Sequence, residues 1–256
     1  MLEKPPTQDK SLTLNGHLLE LRKRMIICTL SVIICTVVAF IFHPMVFDLL
    51  MGPAKGFESL AENKLVFTQI TEMIGITMKV SIMGGMALSI PIILYQMVLF
   101  ISPGLTSREK KYLFALLPGT LLSFVAGCVF GYLVLLPPAL NFLMTFGSDI
   151  ATPMIRVGNY INLVINLLFW LGVSFQTPLV MFFLSKIGVV HPKTFSRQRR
   201  IAIVAAFILG AIITPTFDPV NQSLVAIPII ILYEFGIVLA KLARLGSKDK
   251  KEEKTR

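Results

Sequence analysis

The chain reads as long apolar runs separated by short polar clusters. The runs cover residues 25–47, 72–101, 112–140, 159–187, 201–213 and 222–242. Apolar stretches of about 18 or more residues read as helices that cross a bilayer, because a helix rises about 1.5 Å per residue through a hydrocarbon core of about 30 Å. The pattern predicts an all-α membrane protein with six transmembrane helices. It divides the chain into an N-terminal segment (1–24), a six-helix domain with structured outer loops (25–242) and a charged tail (243–256) expected to be disordered. The stretch 43–71 is too long and too apolar for a plain linker, and Phe57, Leu60, Leu65, Val66 and Phe67 give it packing residues of its own. No internal repeat is visible, which argues against an inverted-repeat transporter.

The fifth run is short. Its 13 residues cover only about 20 Å. Local bilayer thinning or a shallow water-filled depression is expected beside spans five and six, unless Arg199 and Arg200 snorkel across the mismatch. Pro91, Pro118, Pro137, Pro138, Pro178 and Pro228 fall inside or near spans. Each removes a backbone hydrogen bond and favours a kink, so a wall of kinked, curved helices is expected, although proline is also common in straight membrane helices. Gly127 and Gly131, extended upstream by Ser123, form a stripe of small residues that admits another helix, from this chain or another.

Charge then orients the chain. Apolar residues make up 55% and charged residues 15%, with a net charge of +10. That is too little charge for a soluble surface, and the basic residues form clusters between spans with no groove suited to nucleic acid. Twenty Lys and Arg fall on the side of the termini; 4 fall on the other, namely Lys55, Lys64, Lys79 and Arg156. Basic loops stay cytosolic, so both termini and the loops after spans two and four are predicted in the cytosol. The run after Arg22, Lys23 and Arg24 is too long for a signal-peptide core of about 7–15 residues and lacks a small-residue cleavage site, so it is read as a retained span. Cys28, Cys35 and Cys128 lie in apolar runs and are read as packing residues.

Catalytic patterns are missing: there is no H-E-x-x-H, no G-x-S-x-G and no glycine-rich phosphate loop. His17, His43 and His191 lack metal-ligand spacing, and no cofactor is expected. Polar groups near membrane depth are Gln96, Asn162, Asn166, Gln176 and Glu234, which usually face protein or water. Gln96, Gln176 and Glu234 are candidate intramembrane or partner contacts. Asn162 and Asn166 share a helix face, with Asn159 nearer the outer end. Glu234 looks isolated, with Lys241 two turns away. Glu20 and Glu109 stand at the cytosolic ends of spans. Each has a local explanation: Glu20 can pair with Arg24 at i, i+4, and Glu109 completes a Thr106-x-x-Glu109 capping box.

Several segments together resemble the TatC family, the multispanning component of the twin-arginine protein translocase. They are His17-Leu18-Leu19-Glu20-Leu21-Arg22-Lys23-Arg24, then Pro91-Ile92-Ile93-Leu94-Tyr95-Gln96 followed by Phe100-Ile101-Ser102-Pro103-Gly104-Leu105 and Glu109-Lys110. Further on are Gly172-Val173-Ser174-Phe175-Gln176-Thr177-Pro178, Thr214-Pro215 with Asp218 and Gln222, Ala226-Ile227-Pro228 and Tyr233-Glu234. The resemblance implies a receptor for signal peptides with paired arginines, which helps move folded proteins across the membrane with the proton-motive force. It implies that Leu18, Glu20, Leu21, Arg22, Phe100 and Glu109 form the peptide site. A carboxylate accepts the planar guanidinium at two points, which an ammonium cannot reproduce. The family also implies single-span TatA-like and TatB-like partners, self-association in a larger complex, and support of the periplasmic cap by Pro53 and Asp218. Many family members carry a glutamate where this chain has Gln176, and an amide cannot carry a proton near neutral pH. The expected location is the inner membrane of a prokaryote, since no transit-peptide-like leader is present. The competing expectation is a secondary transporter of a small solute.

Overall fold

The computed structural model describes residues 14–53, 69–101, 107–146, 155–214 and 218–252, and almost all of them are helical. The helices are α1 (Leu14–Ile41), α2 (His43–Met51), α3 (Glu72–Ile101), α4 (Ser107–Phe130), α5 (Leu136–Thr145), α6 (Val157–Ser174), α7 (Thr177–Lys186), α8 (Pro192–Arg197), α9 (Arg199–Ile213) and α10 (Pro219–Glu252). Among the described residues, five stretches are long and apolar enough to cross a bilayer: Leu18–Ile41, Glu72–Met97, Pro118–Thr145, Val157–Lys186 and Pro219–Arg244. The fifth predicted span is α9, whose 15 residues rise only about 22 Å.

The second predicted span coincides with α3. The first begins earlier than expected and breaks sooner. α1 starts at Leu14 and ends at Ile41; Phe42 leaves the helical region, and Pro44 sits in the first turn of α2, where its missing N–H costs nothing. The third run contains a π-helical turn, Gly131–Leu135, between α4 and α5. Pro137 and Pro138 follow directly, and the widened turn accommodates the proline ring against the carbonyl four residues back. The fourth run breaks at Phe175 and Gln176, with Pro178 in the first turn of α7. Pro91, Pro118 and Pro228 lie inside continuous helices. The basic loop after α7 holds the short helix α8. Helix α10 continues to Glu252, through most of the tail that was expected to be disordered. That tail is rich in lysine, a good helix former, so propensity carries the helix on once α10 has nucleated it.

Helix pairing follows the small residues. The Ser123–Gly127–Gly131 stripe finds its partner within the chain, on α6. A Cβ on Gly127 would lie 2.8 Å from the Gly172 Cα and 2.9 Å from the Leu171 carbonyl oxygen. Ser123 Oγ donates to the Phe175 carbonyl at 2.6 Å, at the start of the α6–α7 break. The core beside this contact is built from Leu136, Ile161, Val164 and Leu171, all almost fully buried. Two tyrosine hydroxyls hold the end of α2: Tyr132 donates to the Leu49 carbonyl and Tyr160 to the Leu50 carbonyl, each at 2.9 Å.

Candidate functional site

The start of α1 meets the last turns of α3, and three polar side chains converge there. Arg24 Nε donates to Glu20 Oε1 at 3.0 Å, and Arg24 Nη2 reaches the same oxygen. Arg24 Nη1 crosses to α3 and donates to Gln96 Oε1 at 3.0 Å. The Arg24 and Glu20 side chains are only 19% and 24% exposed, so solvent screens this pair less than a surface ion pair. Among the described residues nothing bonds Glu20 Oε2. Phe100 stands one helical turn beyond Gln96, half-buried.

Gln96 therefore belongs to the Glu20 cluster. α3 has 30 residues and is about 45 Å long, so its last turns reach beyond a hydrocarbon core of about 30 Å. Leu18 and Arg22 are exposed on α1, and Leu21 is half-buried. With Met25, Thr29 and Ile33 they line an open groove of about 690 Å³ along α1. α4 begins at Ser107, so Glu109 is its third residue. The helix starts where the Thr106–Glu109 pattern puts it, while the Glu109 side chain and Thr106 lie outside the described residues.

The other candidates occupy separate places. Gln176 is 5% exposed, and its amide nitrogen donates to the Thr120 carbonyl at 2.8 Å, bridging the α6–α7 break to α4. Its Oε1 is buried without a partner among the described residues. A carboxyl group could make this bond only while protonated, so the amide reproduces the neutral acid. Glu234 is not isolated. Its two oxygens take Arg199 Nε and Nη2, each at 2.8 Å, which is a two-point fork tying α10 to the start of α9. The Arg199 guanidinium is thus engaged by protein. Asp218 caps α10: Oδ1 accepts the Asn221 N–H at 2.7 Å and Oδ2 accepts Asn221 Nδ2 at 3.1 Å, with Pro219 as the first helical residue. Pro53 follows α2, half-buried, beside the carbonyls that Tyr132 and Tyr160 hold. The rest of the expected outer cap lies outside the described residues. Among the described residues, no group of His, Cys, Asp and Glu is arranged to hold a metal ion. Sequence spacing pointed to the Glu20–Arg24 pair, but no sequence signal marked its bond to Gln96, 72 positions away.

These features define a polytopic α-helical membrane protein with a carboxylate–guanidinium cluster at one end of its first helix. The family model described as Sec-independent protein translocase protein (TatC) matches residues 16–228. The Sec-independent protein translocase protein TatC of Aquifex aeolicus is 40% identical over 92% of this chain and 98% of its own length. Its counterpart in Carboxydothermus hydrogenoformans is 35% identical over 93% of this chain and 96% of its own length. A crystal structure described as the twin arginine translocase receptor TatC matches with a TM-score of 0.77 at 40% identity, covering 89% of this chain and 99% of that one. The chain belongs to the TatC family.

Proposed function

We propose that this chain is the receptor core of a twin-arginine translocase, which binds paired-arginine signal peptides at the end of α1 and does no covalent chemistry itself. The observation that carries this reading is the Glu20 carboxylate, which already holds a guanidinium and is backed by Gln96. A site that accommodates the Arg24 fork has the chemistry to accommodate an arginine of a peptide. Phe100 supplies an aromatic face one turn away, and Glu109 supplies a second carboxylate at the start of α4. The groove along α1 then offers an apolar track for the segment that follows the arginines. In this reading the chain has six spans, α9 being the short one, and both termini face the cytosol of a prokaryotic cell across its inner membrane. The lysine- and arginine-rich loops support that orientation. TatA-like and TatB-like single-span proteins and further copies of this chain complete the complex.

The test is binding of a twin-arginine signal peptide to the full chain in nanodiscs, with the Lys-Lys peptide as control. The Arg-Arg peptide is expected to bind at least about tenfold more tightly, as loss of a charge-assisted bond implies. Glu20→Ala and Glu109→Ala should each remove most of that preference. Equal binding of both peptides, unaffected by either substitution, returns Glu20 and Glu109 to helix pairing and capping.

A further inference from the structure

Away from the α1 cluster, α3 and α6 enclose a polar groove of about 350 Å³. Its walls include Lys79 and Glu72 from α3, and Arg156, Gly158, Asn159 and Asn162 from the start of α6. Glu72 Oε1 accepts the Gly158 N–H at 3.0 Å and so caps α6 from a neighbouring helix. Its negative charge is thereby turned toward the positive end of the α6 dipole. Lys79 is half-buried and Arg156 stands exposed at the mouth. Among the described residues, neither cation nor Asn162 has a hydrogen-bond or ion-pair partner.

Lys79 is seven positions after Glu72, so its Cα lies about 10 Å further along the helix. An ammonium at that depth with no counter-charge is costly and either keeps water or takes an anion. The free groups in the groove are donors: an ammonium, a guanidinium and side-chain amides. Among the described residues, two cations stand against one carboxylate, which leaves a single positive charge to neutralise. We propose that this groove binds the phosphodiester group of an anionic phospholipid, with Lys79 and Arg156 on the phosphate oxygens and Asn162 donating its amide N–H. The apolar stretch Glu72–Met97 begins at this groove, and the end of a span is where headgroups meet hydrocarbon, which favours a lipid over a free ion. The wall is open at Gly75, where a Cβ would meet nothing within 4 Å.

The experiment is native mass spectrometry of the full chain, incubated with phosphatidylglycerol or phosphatidylcholine, with inorganic phosphate as competitor. The wild type is expected to retain phosphatidylglycerol over phosphatidylcholine. Lys79→Gln should weaken that retention about tenfold, the effect of losing one charge-assisted contact, while Lys79→Arg keeps it. Arg156→Gln, at an exposed position, should weaken it without disturbing the fold, and so stands in if Lys79→Gln does not fold. Inorganic phosphate should not displace the lipid. Unchanged retention in both Gln variants, or equal retention of the two lipids, overturns the proposal; displacement by inorganic phosphate overturns the lipid assignment.

Discussion

Arg24 does within this chain what an arginine of a bound peptide would do: it points a guanidinium at Glu20. An incoming arginine that uses both carboxylate oxygens must take Oε1 from Arg24, which can remain on Gln96. In the proposed receptor, Arg24 is then an internal competitor. Arg24→Ala is expected to raise the affinity for a twin-arginine peptide about threefold, the worth of a partly screened ion pair. The same titration would show a loss of affinity if Arg24 instead holds Glu20 in position. This level of detail was half legible in the sequence. Spacing of four residues predicted the Glu20–Arg24 pair, and the capping pattern agreed with the start of α4. Long-range partners were invisible. Gln96 and Glu234 looked like lone polar groups at membrane depth, yet each meets an arginine far away in the chain.

Among the elements, the α4–α6 contact has the least room to adjust. Two of the three nearest atoms facing Gly127, the Gly172 Cα and the Leu171 carbonyl oxygen, belong to the backbone of α6 and cannot rotate away. Gly127→Ala is expected to destabilise the fold by about 1–3 kcal/mol through overpacking, measured as a lower midpoint in detergent unfolding. Gly119→Ala is the control, because its Cβ would stand 3.9 Å from a Leu179 methyl group and should be tolerated. Hydropathy located the long helices but not their interruptions. A π turn and a two-residue break leave the apolar runs unbroken, so only the prolines at 137, 138 and 178 hinted at them. Helix α2 was hidden for the same reason: the first run stays apolar through Phe42, where the helix stops.

At the scale of the whole molecule, α9 sets the thickness problem that the sequence had already posed. As a sixth span, the proposed reading, its about 22 Å against about 30 Å would leave roughly 8 Å to be made up by lipid or water. The Arg199 side chain at its start is forked onto Glu234, which limits snorkelling as a remedy. Electron cryomicroscopy in nanodiscs is expected to show the bilayer thinned beside α9 and α10; lipid density of full thickness there would contradict it. The pairing of these two helices has a consequence for biogenesis. A Cβ on Gly210 would sit 2.8 Å from the Gln222 carbonyl oxygen, Gln222 Nε2 donates to the Phe207 carbonyl at 2.9 Å, and the Arg199–Glu234 fork closes the far end. A helix as short as α9 offers the insertion machinery too little apolar length to halt in the membrane alone. If α9 crosses the bilayer as proposed, it is expected to insert together with α10, the two entering as one hairpin.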